Sequence, residues 1–272
     1  MKRTDRAGWR ATPFVTGGLI IVVLAVIAVA WRPDLWKSAL LALALVHICF
    51  TAVGLWPRSV LLGANMVRLP EAAALRREVA VTIDDGPDPE VTPQVLSILA
   101  AYGAQATFFC IGDLAERHPD LCRAIVKAGH AVENHGQSHL KRSSLLGPSG
   151  WLREVGEAQK TLTAITGCPP RYFRATAGLR NLFLDPVLHH MGLRLVSWTR
   201  RGFDTRTGDA ARVLARLTRD LTPGVILLLH DGHAARTRSG QAVILEVLPI
   251  LLEELAARKL KTVTMASACS QA

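Results

Sequence analysis

The pattern of apolar and polar residues divides the chain into two regions. Two almost uncharged apolar runs come first, Phe14 to Trp31 and Ser38 to Trp56, and each has about the length that crosses a bilayer as a helix. Only the polar segment 32–37 lies between them. Beyond residue 77, short apolar segments alternate with amphipathic stretches, which is typical of an α/β domain.

The second region predicts about seven strands with helices between them. The predicted strands are Val79–Asp84, Ala106–Ile111, His130–Asn134, Tyr172–Arg174, Arg194–Trp198, Gly224–His230 and Leu260–Met265. Pro93–Tyr102 and Gln241–Ala257 are examples of the predicted helices. Repeated βα units in one domain favour a (β/α) barrel, with a doubly wound open sheet as the alternative.

The predicted organisation has four parts. They are a basic N-terminus (1–13), two transmembrane helices (14–56), a connector (57–77) and the α/β domain (78–272). A cleaved signal peptide is the rival interpretation of the first run, but its apolar core is usually shorter and ends in a small-residue cleavage site. We therefore favour a retained transmembrane helical hairpin.

Basic residues at the extreme N-terminus predict the orientation of this hairpin. Lys2, Arg3, Arg6 and Arg10 favour the cytoplasmic side. Two crossings then return the chain, so we expect a multi-pass protein of a bacterial-type inner membrane with its α/β domain in the cytoplasm. Because the second run contains His47, Cys49 and Thr51, a single crossing with the domain outside stays as the alternative.

Composition adds two constraints. The five cysteines are odd in number and scattered, which is not a disulfide framework. The net charge is +10, and since residues 1–56 carry six Lys/Arg against two Asp/Glu, six of these charges belong to the rest of the chain. A basic surface next to a membrane suits anionic lipid headgroups, and we expect no nucleic-acid partner.

The first candidate chemistry is a pair of carboxylates at the end of the first predicted strand. Asp84 and Asp85 are followed by Gly86-Pro87, and two adjacent buried charges are costly unless a cation holds them. Two imidazoles lie further along, at His135 and His139, a spacing that places both on one side of a helical turn. Asp with two His is a plausible open metal site, although each motif alone is weak and Asp-Asp-Gly-Pro is more often a capped turn.

Three further polar residues follow predicted strands. Arg174 ends the fourth strand, Asp204 follows the fifth and His230 ends the sixth. The carboxyl ends of barrel strands form the reactive face, so we expect these residues and the metal site to meet in one cleft. His118, His189, His190 and His233 are predicted to lie on the surface or in loops, His130 to start a strand, and Glu133 to support local structure.

Taken in order, these motifs resemble the polysaccharide deacetylase family, the NodB-homology domain of carbohydrate esterase family four. Thr82-Ile-Asp-Asp-Gly-Pro87 is similar to the family's Thr-Phe-Asp-Asp-Gly-Pro, and 135–139 to its His-x-x-x-His. Residues 174–178, Asp204 and Leu228-Leu-His230 correspond to its later motifs. The resemblance implies a distorted (β/α) barrel and metal-dependent hydrolysis of an N-acyl group on an amino sugar.

The resemblance also implies a role for each residue. One divalent metal, expected to be zinc, is held by Asp85, His135 and His139. The further roles are Asp84 as general base, His230 as general acid, Arg174 with Asp204 as a pair that orients the base, and the backbone N–H of Ala177 as an oxyanion donor.

Two departures from the family pattern stand out. Ala175-Thr176-Ala177 follows Arg174 where the family has prolines, so the wall of the groove is changed. Asp204 is followed by Thr205 instead of a tryptophan, and Trp198 is either its replacement or a core residue.

Charge and aromatic content bear on the substrate. Arginines crowd the predicted loops after strands four to six; they are Arg180, Arg200, Arg201, Arg206, Arg236 and Arg238. These arginines are either part of a generally basic, solvated surface or a site that recognises phosphate or pyrophosphate on a lipid-linked amino sugar. For substrate binding we single out Leu228, Trp198, Arg200, Arg201 and Arg236. Only two tryptophans follow residue 57, which gives little sign of a long glycan groove.

The sequence thus predicts an enzyme that removes an N-acetyl or N-formyl group from an amino sugar of a glycan or of a lipid-linked glycan intermediate. Its partners would be that N-acylated sugar and the membrane bilayer. The alternative is an extracytoplasmic N-deacetylase of peptidoglycan or a chitin-like polysaccharide. A catalytically inactive membrane-anchored binding protein is a third possibility, against which the intact Asp and His motifs argue.

Overall fold

The computed structural model describes residues 8–270. Two helices come first, α1 (Pro13–Trp31) and α2 (Trp36–Gly54), joined by one 3-10 turn at Pro33–Leu35. Both are long and apolar enough to cross a membrane. Three of the four basic residues on which the predicted orientation rests, Lys2, Arg3 and Arg6, lie outside the described residues.

The two apolar helices pack against each other as an antiparallel pair. Phe14 at the start of α1 meets Phe50 near the end of α2, with ring centroids 5.4 Å apart. A Cβ at Gly18 would lie 2.4 Å from the Phe50 ring, so glycine permits this close approach. Only 17% of an apolar 18-residue stretch in the first helix and 11% of one in the second is buried. The core helices of a soluble protein are, by contrast, mostly buried.

The rest of the described chain forms one parallel β-sheet surrounded by helices. The strands are β1 (Glu78–Asp84), β2 (Ala106–Cys110), β3 (Ala131–Asn134), β4 (Tyr172–Phe173), β5 (Arg194–Leu195), β6 (Arg200–Arg201), β7 (Ile226–His230) and β8 (Lys261–Thr262). Their order is β5-β4-β3-β2-β1-β7-β6, with β8 beside the start of β1, and every ladder is parallel.

Within residues 8–270, nine further helices follow the apolar pair. They are α3 (Glu71–Leu75), α4 (Thr92–Ala101), α5 (Gly112–Arg117), α6 (Pro119–Lys127), α7 (Pro148–Thr166), α8 (Leu184–Met191), α9 (Ala210–Thr218), α10 (Val243–Ala257) and α11 (Met265–Ser270). The predicted α/β distorted barrel is confirmed. The pattern missed β6, and the strand predicted at Arg194–Trp198 is regular only over its first two residues, followed by a single bridge at Val196.

The barrel is incomplete between β5 and β6, where the connector fills the gap. Met66 pairs with Val196 just beyond β5, and Arg68 pairs with Val225 just before β7. The Thr199 hydroxyl, between the two strands, donates a hydrogen bond to the Val67 carbonyl. The connector is therefore part of the barrel wall as well as the link to the helices.

Alternation along β1 delivers the first carboxylate to the barrel interior. Val79, Val81 and Ile83 pack outward into the main apolar core under the helices, whereas Ala80 belongs to a second cluster inside the barrel. Since side chains alternate along a strand, Asp84 lies on the inward side with Ala80. It is buried at the carboxyl end of the strand.

The end of the helical pair contacts the loop after β4. The backbone N–H of Arg180 donates to the Gly54 carbonyl at 3.1 Å, and the buried Arg180 guanidinium donates to the Ser59 carbonyl. Just before α1, the Trp9 indole donates to Asp185 at 2.7 Å. The segment before α1 and the end of α2 thus both contact the α/β domain.

Candidate active site

The three predicted metal ligands converge after β1 and β3. Oδ1 of Asp85 lies 3.1 Å from Nε2 of His135 and 3.0 Å from Nε2 of His139. The three donor atoms all lie within 4.8 Å of one another. Two imidazole nitrogens and one carboxylate oxygen at this spacing fit a divalent metal of the zinc type and leave a coordination position open.

Neighbouring groups orient these donors. The Nδ1–H of His135 donates to the carbonyl oxygen of Arg174 at 2.7 Å, which turns Nε2 towards the donor set. Burial disfavours ionisation of Asp85, but hydrogen bonds from His135, His139 and His233 outweigh burial and hold its pKa well below the usual value. The Asp85 carboxylate is therefore ionised and can act as a ligand for a cation.

Asp84 is held beside the donor set by a buried arginine. Nη1 of Arg174 donates to Oδ1 of Asp84 at 2.6 Å and to the Thr82 hydroxyl at 2.8 Å. Its other nitrogens donate to the carbonyls of Val196 and Ser197, and the guanidinium stacks 4.1 Å from the Phe109 ring centroid. The second oxygen of Asp84, Oδ2, lies 3.8 Å from Nε2 of His135.

Asp204 contacts the other imidazole of the site. It accepts from the ring Nδ1–H of His230 at 2.8 Å and from the backbone N–H of His230 at 2.7 Å. Burial lowers the pKa of His230, but the negative charge of Asp204 and its hydrogen bond outweigh burial and raise it. The predicted Arg174–Asp204 pair is therefore wrong: Arg174, directly after β4, contacts Asp84, whereas Asp204, after β6, contacts His230.

Left-handed backbone conformations cluster at the site. Asp85, His139 and Ala177 have φ of 72°, 50° and 53°, in a region that non-glycine residues rarely adopt. Backbone strain of this kind concentrates where geometry is imposed by function. Ala177, the predicted oxyanion donor, lies in a 3-10 turn (Thr176–Gly178) and lines the cleft.

The cleft around the donor set has a volume of about 480 Å³. Three of the predicted substrate-binding residues line it: Leu228, Trp198 and Arg201. Arg200 does not, because its guanidinium turns away to pair with Asp220 at 2.9 Å. Arg236 also lies outside the lining, since it is exposed and pairs with Glu90 at 3.6 Å.

Sequence reasoning missed the position of His233. It is exposed, as expected, yet its Nδ1 lies 3.4 Å from Oδ2 of Asp85 and its ring stacks on His139 with centroids 5.9 Å apart. The available signal was its distance of three residues from His230. Lys141 also lines the cleft, close after His139 in the chain.

Asp231 is a second residue that the motifs did not single out. Burial raises its pKa to about 7 with help from the nearby Asp85 charge, although hydrogen bonds from the Thr92 hydroxyl and the Gly232 N–H oppose this. A Cβ on Gly86 would lie 2.4 Å from the Asp231 carboxylate. The side chain therefore packs directly under the turn that carries Asp85.

The other polar residues considered from the sequence lie away from the cleft. Glu133 accepts hydrogen bonds from the backbone N–H groups of Arg171 and Tyr172. His130 accepts one from the Ala106 N–H at 3.3 Å. Both contacts join neighbouring strands, in line with the structural roles predicted for them.

An α/β barrel with an Asp-His-His donor set, an adjacent carboxylate and a carboxylate-supported imidazole defines a metal-dependent hydrolase. Comparison with known proteins gives the particular family. A sequence profile of polysaccharide deacetylases matches residues 72–196. The chain is 36% identical to the chitooligosaccharide deacetylase of Azorhizobium caulinodans over 190 residues, which cover 66% of this chain and 89% of that protein.

Two further relatives support the same family assignment. The peptidoglycan-N-acetylglucosamine deacetylase of Bacillus cereus is 32% identical over 65% of this chain and 82% of its own length. The family 4 carbohydrate esterase from Streptomyces lividans superposes with a TM-score of 0.62 at 30% identity, over 68% of this chain and 91% of that one. The chain belongs to the polysaccharide deacetylase family, whose enzymes are in general metal-dependent hydrolases of N-acetyl groups on amino sugars.

Proposed function

We propose that this protein hydrolyses the N-acetyl or N-formyl group of an amino sugar in a glycan or lipid-linked glycan intermediate at the membrane. The observation that carries the proposal is the convergence of Asp85, His135 and His139 next to Asp84 and His230 in one cleft. The products are a free amino sugar and acetate or formate.

Asp85, His135 and His139 would hold one divalent metal, and zinc suits two imidazoles and a carboxylate. A metal bound there supplies a Lewis acid for the acyl carbonyl and lowers the pKa of a water molecule. The Arg174 carbonyl fixes the His135 ring in the tautomer that leaves Nε2 free as a ligand. The backbone N–H of Ala177 is the proposed donor to the carbonyl oxygen as negative charge develops on it.

Asp84 is the proposed general base. It is buried, adjacent to the donor set and hydrogen-bonded through Oδ1 to Arg174, so Oδ2 is available to take the proton of the attacking water. The water oxygen forms the new bond to the acyl carbon. Arg174 fixes the carboxylate in position through its contact with Oδ1.

His230 is the proposed general acid. An amine is a poor leaving group until it is protonated, and the raised pKa of His230 lets the ring keep its proton to a higher pH than a free imidazole does. As the carbon–nitrogen bond breaks, the imidazolium gives this proton to the sugar nitrogen. Asp204 stabilises the charged ring and fixes its orientation.

The membrane side of the proposal rests on the apolar helical pair. Its exposed surface is apolar along both helices, and its end contacts the loop that carries Arg180, six residues after Arg174. This contact supports an active site close to the bilayer surface. We propose two crossings with the α/β domain on the cytoplasmic side, where lipid-linked sugar intermediates would reach the cleft.

A second candidate is supported by the comparisons. The relatives named above act on chitooligosaccharides and on peptidoglycan N-acetylglucosamine, which favours an extracytoplasmic polysaccharide substrate. Topology separates the two candidates. A reporter that works only in the cytoplasm is expected to be active when it is fused after Ala272. If a reporter that works only in the periplasm is active there instead, the second candidate replaces the first.

Activity is tested on the full chain in detergent. The purified protein should contain about one zinc per chain, because Asp85, His135 and His139 form one donor set. It should also release acetate or formate from N-acylated amino sugars. Asp84→Asn is the matched variant: it should keep the metal and lose turnover. Loss of the metal in this variant would contradict the base assignment, and a folded protein with neither metal nor product release would show that it is not an enzyme.

A further inference from the structure

A second cavity, of about 410 Å³, lies beside the metal cleft and is lined by guanidinium groups. We call it the arginine pocket; its arginines are Arg58, Arg200, Arg201, Arg216 and Arg219. They come from three places in the chain: the connector, the segment after β5, and α9 with the turn that follows it. The fold therefore gathers five positive charges that the sequence separates.

Most of this charge is uncompensated within the described residues. Arg200 and Arg219 share a single carboxylate, Asp220, at 2.9 and 3.6 Å. Arg58 and Arg216 donate only to backbone carbonyls, those of Thr199 and Gly202, each at 3.3 Å. A pocket of this kind suits a ligand that brings its own negative charge, and guanidinium groups recognise phosphate oxygens especially well.

Arg201 connects the arginine pocket to the metal cleft. It lines both cavities, as does Trp198. Its guanidinium lies between two rings, 5.4 Å from the Trp198 centroid and 5.1 Å from that of Phe203. Its Nε is buried and has no hydrogen-bond partner among the described residues, so the guanidinium keeps a donor that is not used. The two cavities are therefore adjacent, with Trp198 and Arg201 as their shared lining.

The arginine pocket also begins where the apolar helical pair ends. α2 ends at Gly54, and Trp56, Pro57 and Arg58 all line the pocket. Trp56 is exposed, and tryptophan at the end of a membrane-spanning helix favours the headgroup layer. An anion in this pocket would therefore lie at the height of lipid phosphates, with the metal cleft next to it.

We propose that the arginine pocket binds the phosphoryl group of a lipid-linked amino sugar while the N-acyl group of that sugar lies in the metal cleft. The inference rests on the proposed deacylase function and names its substrate class. An ordinary anionic lipid headgroup offers the same phosphate chemistry, but a pocket that only docked headgroups would not need to share Trp198 and Arg201 with the reaction cleft.

The test compares two soluble probes with the same sugar, N-acetylglucosamine 1-phosphate and methyl N-acetylglucosaminide. Acetate release by the zinc-loaded full chain in detergent gives kcat/KM for each. The wild-type chain should prefer the phosphorylated probe. Arg58→Gln and Arg216→Gln keep a donor for their backbone carbonyls, and each should lower the preference by roughly tenfold, as expected for one charge-assisted hydrogen bond. Arg212→Gln, an exposed arginine on the same helix as Arg216 but outside the pocket, should keep the wild-type ratio.

Other outcomes overturn the proposal. An unchanged ratio in both pocket variants, or an equal loss on both probes, would show that the arginines do not bind substrate phosphate. The same assay in phosphatidylcholine nanodiscs with and without phosphatidylglycerol separates the two sources of phosphate. Loss of the preference when phosphatidylglycerol is added would assign the pocket to membrane headgroups.

Failure of the deacylase function is distinguishable from failure of the arginine pocket. If the wild-type chain releases neither acetate from these probes nor formate from their N-formyl counterparts, the proposed function fails and calorimetric binding of inorganic pyrophosphate decides the pocket. Binding that weakens in Arg58→Gln and Arg216→Gln, but not in Arg212→Gln, supports a phosphate site. Absent or unchanged binding rejects it.

Discussion

Asp204 holds His230 at two points, its ring Nδ1–H and its backbone N–H, so the carboxylate fixes both the tautomer and the position of the imidazole. The Asp204 charge raises the pKa of His230 against the effect of burial. Asp204→Asn removes that charge, and the pKa of His230 should fall. The ring then loses its proton at a lower pH, so the alkaline limb of the kcat/KM profile should move to lower pH.

Above neutral pH we expect Asp204→Asn to lower kcat/KM by about 10²-fold, the lower end of what a general acid contributes. Metal content, measured on the same sample, should be unchanged. An alkaline limb that stays in place would mean that His230 is not the acid.

Arg174 is expected to contribute to stability as well as to activity. It is fully buried and holds the charge of Asp84, so Arg174→Met leaves a buried carboxylate without its partner. Breaking a buried pair in this way costs about 3–5 kcal/mol of unfolding free energy. Denaturant unfolding measures this loss. Adding Asp84→Asn to the Arg174→Met chain should restore part of the stability, and a double variant as unstable as the sum of the two single changes would contradict the coupling.

His233 is expected to support the metal site although it is exposed. Its contact with Asp85 and its stacking on His139 hold two of the three ligands. His233→Ala should weaken metal affinity by about 10–100-fold, as loss of an outer-shell partner does. Competition with a chelating indicator measures this affinity. His190→Ala, an exposed histidine on α8, serves as the control and should bind metal like the wild-type chain.

Two glycines of the apolar helices should respond differently to alanine. A Cβ on Gly54 would lie 2.2 Å from the carbonyl oxygen of Arg180, whereas one on Gly17 meets nothing within 4 Å. Gly54→Ala should therefore destabilise the contact between α2 and the loop after β4, by about 1–3 kcal/mol as overpacking does. Thermal unfolding in detergent should show a lower Tm for Gly54→Ala and no decrease for Gly17→Ala. Equal Tm values would mean that the contact contributes little.

Much of the fold is predictable because its signals are local. The strands β1, β2 and β7 are mostly apolar and buried along their whole length, since helices cover one face of the sheet and the barrel interior lies on the other. β6 has no such signal: Arg200–Arg201 pairs with Leu227 and Leu228 through backbone groups alone. The insertion of Met66–Arg68 into the barrel wall is equally hidden, because it depends on residues more than a hundred positions away.

The candidate site was likewise predictable only in part. Motif order identified the residues that meet in the cleft, but it could not say which loops face each other. Arg174 and Asp204 were therefore paired in the prediction, while the structure places one beside Asp84 and the other beside His230. The sequence predicted His233 to lie on the surface, and its side chain is exposed. Its contact with Asp85 could not be predicted, because an exposed residue can still lie next to the site and the sequence does not show which exposed residues do.

The hydrogen bond between the Arg180 N–H and the Gly54 carbonyl joins the helical pair directly to the α/β domain. In the membrane arrangement proposed above, this contact would hold the mouth of the cleft close to the bilayer surface. Such an enzyme would reach only those substrates whose N-acyl group lies close to the membrane surface. A glycan strand that runs far from the lipid surface would be out of reach however well its residues fitted the cleft.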